Sequence, residues 1–398
     1  MSERLASEGG SPVRSSFLPF ARPMFGEEER LEVLSVLNSG WLTLGPRVER
    51  FENALAAYLD VPYVVCVDSC TSALHLSLLA CDLGAGDEVV TSPLTFCSTI
   101  NVILHAGARP VLADVDEDTL NLDPGRAEAA ITADTGALLP VHYGGYPCDM
   151  DVFATLAQER DLYLIEDAAH AIGAVYRDRK AGTWGDVGCF SFYATKNLTT
   201  GEGGALATSD RETADWARLL ALHGMDRDAW KRYTAQGTWF YEIQAAGFKY
   251  NMSDLEAAIG LGQLGRLDVM NARRAEIARA YDAAFGDHPA LEIPFTEAGA
   301  QSAHHLYPIR LRLDALTIDR ARFMNELAME NIGASVHFIP IHLHRFYQDA
   351  LGVKPGDFPV AEAAYARLVS LPIYPGMQDA DIADTIAAVR KIADRFRR

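Results

Sequence analysis

The 398-residue chain has no surplus of positive charge: 35 Lys and Arg stand against 54 Asp and Glu, a formal net charge of −19. That argues against a nucleic-acid partner, which needs a basic face to neutralise phosphates. A small phosphorylated ligand stays open, because a few backbone amides and one cation in a cleft suffice to hold it. Cysteine is scarce and one-sided. All six (Cys66, Cys70, Cys81, Cys97, Cys148 and Cys189) fall in the first half, with no CxxC pair and no histidines at zinc spacing. They read as buried small hydrophobes of a reduced interior, and no metal is expected. No uncharged apolar run reaches the ~18 residues of a membrane span, and 1-MSERLASEGGSPVRSS-16 lacks the apolar stretch of a signal peptide. The expected setting is the cytoplasm, away from membranes. No internal repeat is visible.

What is present is a globular composition, 49% hydrophobic and 22% charged, in a chain long enough for two or three domains. Residues 1–16 are rich in Ser, Gly and charge and read as a disordered arm. Further on, short apolar runs alternate with helical patterns: 63-YVVCV-67 then 71-TSALHLSLLAC-81, 88-EVVTS-92 then 98-STINVILHAG-107, 109-RPVLADV-115, and 137-ALLPVHY-143 then 151-DVFATLAQER-160. The runs 162-LYLIED-167, 188-GCFSFY-193 and 204-GALATS-209 continue the series. Such runs predict an α/β domain over 17–265 with a mostly parallel sheet covered on both faces. An eightfold barrel is the competing architecture, and the irregular spacing after Asp167 favours an open sheet. From 266 the texture changes to a long Arg-rich helix, a strand at 305-HLYPIRLRL-313, a helix at 318–331, a strand at 334-ASVHF-338 and a terminal helix. That predicts a smaller α+β domain over 266–398.

In open parallel sheets, ligands bind beyond the carboxyl ends of the strands. Three polar groups fall at such ends. The segment 68-DSCTSAL-74 opens a helix with small residues, so its free N–H groups and the Thr71 hydroxyl can form an anion site; ordinary N-capping is the alternative. The run 162-LYLIEDAAH-170 ends in Glu166 and Asp167, with His170 one turn on. A buried carboxylate there calls for a cationic partner such as a protonated pyridine, although an N-cap and a core histidine would explain the same letters. Lys196 follows 189-CFSFY-193; desolvation at a dry strand end lowers an amine's pKa and makes it a nucleophile, whereas a solvated loop lysine would be inert. Together the three are the parts that pyridoxal 5′-phosphate (PLP) requires: an anion site, an acid for the ring nitrogen and a Schiff-base lysine. Phe96, in 93-PLTFCST-99, stands at another strand end and could stack on the ring.

From about Phe20 onward the chain resembles the DegT/DnrJ/EryC1/StrS family of nucleotide-sugar aminotransferases of PLP fold type I. The segments that carry the resemblance are 40-GWLTLGPRVERFE-52, 95-TFCSTINVILHAGARPVLADVDEDTLNLDP-124, 140-PVHYGGYPCDMD-151, 165-IEDAAHAIGA-174, 182-GTWGDVGCFSFYATKNLTTGEGG-204 and 249-KYNMSDLEAAIGLGQL-264. They look closest to enzymes that aminate C4 of UDP-4-keto sugars. The resemblance implies that Lys196 bonds the cofactor, Asp167 holds its ring nitrogen, Phe96 stacks on the ring and His170 lies beside the ring or the substrate. It implies a phosphate held by the Cys70 amide, Thr71, Ser191 and, across a homodimer interface, Asn251. It further implies L-glutamate as amino donor and a nucleotide-linked keto sugar as acceptor, with Trp41, Lys231, Arg232, His337 and His342 as candidates for substrate contact. C3 amination is the nearest alternative. A PLP-dependent sugar dehydratase has histidine in place of the lysine, so Lys196 counts against it, and retention of the cofactor set disfavours a non-catalytic binding protein.

Overall fold

The computed structural model describes residues 4–225 and 241–398. Among the described residues thirteen strands run in chain order: β1 (Tyr63–Val67), β2 (Glu88–Thr91), β3 (Arg109–Leu112), β4 (Thr135–Leu139), β5 (Tyr163–Asp167), β6 (Val175–Tyr176), β7 (Arg179–Lys180), β8 (Val187–Ser191), β9 (Gly204–Thr208), β10 (Leu291–Glu292), β11 (Ala300–Gln301), β12 (Tyr307–Leu311) and β13 (Leu368–Leu371). Seven of them make one open sheet in the order β1-β9-β8-β5-β4-β2-β3, so the barrel alternative fails. Parallel pairings link β3, β2, β4, β5 and β8, whereas β9 runs antiparallel to both of its neighbours. Every residue of β2, β8 and β9 is buried, as expected where helices cover both faces.

Helices start where the sequence offers caps. Ser69 Oγ accepts the Ser72 amide at the head of Cys70–Ala80, and Ser253 with Glu256 forms a capping box ahead of Asp254–Leu264. The smaller domain is the antiparallel sheet β10-β12-β13, whose core it shares with helices Leu267–Phe285, Arg320–Met329 and Asp379–Arg395. Here the expected strand at 334–338 fails. Only Ser335 bridges to Ser370, and the third strand is β13 instead, a fully buried LVSL run that pairs with β12 over four residues.

The expected disordered arm is also corrected for residues 4–16. Leu5 is completely buried in the small-domain core, and the amides of Ala6 and Val13 both donate to Glu330, at 2.9 and 2.8 Å. Arg14 pairs with Asp381 and Asp384. A polar composition hid one apolar anchor and two paired charges, Arg14 and the Glu8 that meets Arg395. No helix among the described residues is long and apolar enough to cross a membrane.

Candidate active site

The pairing registers gather the strand ends. Gly204, the first residue of β9, pairs with Val67 at the end of β1 and with Ser191 at the end of β8, while Asp167 at the end of β5 pairs with Cys189. Gly204 packs directly under the first turn of helix Cys70–Ala80: a Cβ there would lie 2.4 Å from the Cys70 nitrogen and from the Ser69 carbonyl carbon. Gly203, at φ +152°, turns the chain into this approach. Ser191 and the amides of Cys70 and Thr71 therefore flank the same glycine, and the first amides of a helix have no intrahelical partner. This is a candidate anion cradle. Burial raises the Cys70 thiol well above its usual pKa, so what Cys70 has to offer a ligand is its N–H.

Adjacent residues of β5 face opposite sides of the sheet, and the two carboxylates divide accordingly. Glu166, fully buried, accepts the amides of Gly182, Trp184 and Gly185 at 2.6–2.8 Å. It also accepts from His142: the Cys148 amide donates to Nδ1, which leaves the ring proton on Nε2, 2.9 Å from Glu166. Glu166 is thereby consumed in holding a turn. Asp167 is buried, and among the described residues its carboxylate is bonded only by neutral donors, the Ala169 amide at 3.1 Å and the Thr99 hydroxyl at 2.8 Å. Because Thr99 donates its proton to Asp167, its oxygen accepts from Thr95, 2.8 Å away, and the chain Thr95 to Thr99 to Asp167 has one direction. Burial pushes the Asp167 carboxyl above its usual pKa, and the Thr99 bond, the Ala169 amide and the Lys196 charge oppose this.

Lys196 lies within electrostatic reach of this group. Desolvation lowers its amine from 10.5 to about 8, with Cys70 and Asp167 pulling the other way. Two expected histidines feel its charge as well. His170 is buried with Nδ1 unpartnered, and burial and then Lys196 push its pKa well below the usual value. His337 donates or accepts at Ser370 Oγ, 2.9 Å away, and burial with Lys196 brings it to about 4. Both imidazoles are neutral at physiological pH. Phe96, the residue ahead of helix Cys97–His105, exposes 58% of its surface, and its ring lies 5.9 Å from Phe338, which in turn stacks on His170 at 5.7 Å.

Other expected residues fall elsewhere. His342 is completely buried, with Nε2 2.9 Å from Glu362 and its ring against Phe358 at 4.8 Å, so it is a core histidine and not a substrate contact. Trp41 sits in the turn ahead of helix Pro46–Leu59 and donates its indole N–H to the Leu44 carbonyl. Asn251 bridges to Val67 of its own chain; its side chain donates to the Met252 carbonyl and accepts from Lys249. Lys231 and Arg232 lie outside the described residues. Sequence reasoning missed Thr99, Asn197 and His305. The first was quoted in 93-PLTFCST-99 without a role, and only its position one helical turn after Thr95, on the helix that opens with Cys97, could have pointed to it.

PLP fits these residues on the structure's own terms: a glycine-made anion cradle, a buried carboxylate lacking a bonded cation, and a lysine held near neutrality. Comparison with known proteins agrees. Residues 23–390 match the model of the DegT/DnrJ/EryC1/StrS aminotransferase family. The chain is 51% identical to the spore coat polysaccharide biosynthesis protein SpsC of Bacillus subtilis (strain 168) over 380 residues, 95% of this chain and 98% of that one. Among solved structures, Streptococcus pneumoniae Spr1654 in its PMP form superposes with a TM-score of 0.89 at 31% identity, covering 95% of this chain and 98% of that one, and Spr1654 has also been solved in a PLP form. Helicobacter pylori PseC, an aminotransferase involved in pseudoaminic acid biosynthesis, superposes at 0.88 with 30% identity over 96% of this chain and all of that one. A strand-end site built for PLP and a family match across nearly the whole chain lead to one conclusion: this chain belongs to the DegT/DnrJ/EryC1/StrS family of PLP-dependent sugar aminotransferases.

Proposed function

We propose that the protein moves an amino group from L-glutamate to the C4 ketone of a nucleotide-linked 4-keto sugar, a UDP- or dTDP-linked 6-deoxyhexose or pentose. The observation that carries the catalytic assignment is the lysine. An amine lowered to about 8 is partly neutral at physiological pH, and only the neutral form attacks a carbonyl or accepts a proton. Lys196 would bond the cofactor and, as a free amine, would move the proton at the α-carbon of the amino acid. Bound PLP supplies the electron sink that makes this proton removable. Asp167 holds a proton at the ring nitrogen, and Thr99 keeps Asp167 anionic for that purpose.

The Cys70 and Thr71 amides and the Ser191 hydroxyl would hold the phosphate, and in a homodimer Asn251 of a second copy would complete the cradle. Phe96 would cover the ring. His170 and His337 stand at the substrate side as neutral hydrogen-bonding groups, with Trp41, Lys231 and Arg232 assigned to the sugar nucleotide. A cytoplasmic setting is supported by six unpaired cysteines. Purified protein with PLP should be yellow, and glutamate should bleach the band; a panel of UDP- and dTDP-linked keto sugars should then restore it. Colour that no amino donor alters would refute transamination, and recovery only with 3-keto sugars would replace C4 by C3.

A further inference from the structure

We propose that His305 is a positioning residue that aligns both Lys196 and His170, resting on the reading of Lys196 as the cofactor-bonding lysine. Asn197, the residue after the lysine, is held on several sides. Its Nδ2 donates to the Ala303 carbonyl at 2.7 Å and to Asn271 Oδ1 at 2.8 Å, which uses both amide hydrogens. Two acceptors fix which way the amide points, so its oxygen faces His305 Nδ1 at 3.1 Å. An amide oxygen can only accept, and His305 Nδ1 therefore carries the proton. Asn271 is itself anchored, donating to the Ile172 carbonyl at 3.1 Å.

The same imidazole has a second contact. Its ring lies 4.4 Å from the ring of His170 at an interplanar angle of 36°. His170 has a buried Nδ1 without a partner, so no bond at that nitrogen fixes the ring's orientation, and contact with its neighbours must do so. Phe338 supplies a stacked neighbour and His305 a closer, tilted one. His305 is buried, and burial together with His170, Lys196, Arg274 and His337 keeps it uncharged. A neutral ring can donate to Asn197 without adding a positive charge beside an amine that has to lose its proton. One side chain, two residues ahead of β12, thus holds the Asn197 side chain next to Lys196 with its Nδ1–H and packs its ring against His170.

The two contacts can be cut separately. His305→Phe keeps a ring beside His170 and removes the donor to Asn197, whereas His305→Gln keeps a donor and removes the ring. Wild type and Lys196→Ala come first: loss in Lys196→Ala of both turnover and borohydride fixation of PLP to the protein upholds the parent reading, and retention of either refutes that reading whatever His305 does. His305→Phe should then weaken PLP binding, followed by the yellow absorbance, by about tenfold through the loosened lysine loop. His305→Gln should bind PLP within about twofold of wild type but lose kcat by roughly 10- to 100-fold with KM for the keto sugar unchanged. Should His305→Phe fail to fold, Asn197→Leu removes the same bond from its other end with the same expected result. Wild-type behaviour of both variants would overturn the proposal. So would parallel loss of cofactor affinity and kcat in both, the mark of general loosening.

Discussion

Replacing Lys196 by Met should stabilise the cofactor-free protein, and by an amount that depends on pH in a defined direction. The amine falls from 10.5 to about 8 because the fold desolvates it. Each pH unit between those values is worth about 1.4 kcal/mol, so the protonated lysine costs the folded chain about 3 kcal/mol. Lys196 keeps some solvent contact, and we expect ~1.5–3 kcal/mol to be realised. Below about pH 8 both folded and unfolded chains carry the proton, and the full cost is present. Between 8 and 10.5 the unfolded chain binds more protons than the folded one, so wild-type stability rises with pH and the cost fades. Methionine has similar length and no charge, and it escapes the cost at every pH. Thermal unfolding of both proteins without PLP should show Lys196→Met melting roughly 2–6 °C above wild type at pH 7. The gap should close towards pH 10.5. Ionisations elsewhere are common to both chains and cancel in the difference. Equal melting temperatures at pH 7, or a gap that does not change with pH, would refute the claim that this lysine is held near neutrality by burial.

Thr99→Val removes the Thr99 side-chain hydrogen bond to Asp167; a bond to a charged group is worth about 1.5–3 kcal/mol, so PLP affinity should fall about tenfold or more, and Thr99→Ser should restore it. Gly204→Ala drives a Cβ to 2.4 Å from the Cys70 nitrogen, and because both sides are backbone the cradle must open; the protein should purify without colour and regain none on titration with PLP. His342→Ala should lower stability by about 1–3 kcal/mol through the cavity and the unpaired Glu362, with KM for the sugar nucleotide unchanged in steady-state assays.

The sheet was legible because strands buried on both faces are short apolar runs, and 63-YVVCV-67, 162-LYLIED-167 and 204-GALATS-209 all formed within a residue or two of their expected bounds. The direction of β9 was not legible. A run buried on both faces reads the same in either sense, and only its position between β1 and β8 makes it antiparallel. In the small domain, 334-ASVHF-338 has the residue types of a strand, but the ladder position beside β12 goes to Leu368–Leu371, whose side chains are all buried. Pairing is a competition between segments, and a single segment's composition does not decide it.

The same distinction separates the site residues that could be read from those that could not. Lys196, Asp167, Cys70 and Ser191 stand at strand ends, where topology alone makes a polar residue conspicuous. Thr99 and His305 matter through partners 68 and 108 positions away, and no local pattern encodes such a bond. His337 and His342 show the converse, since they share one quoted segment and look equivalent in it. The chain separates them by what each nitrogen meets: Ser370 beside a ring that feels the Lys196 charge, or Glu362 in the interior. The groups proposed to react are thus set by the ends of the sheet. The groups that hold them at working pKa and orientation are set by hydrogen bonds that close only when distant segments pack, which is why a neutral donor at His305 and a hydroxyl at Thr99 carry consequences their letters do not announce.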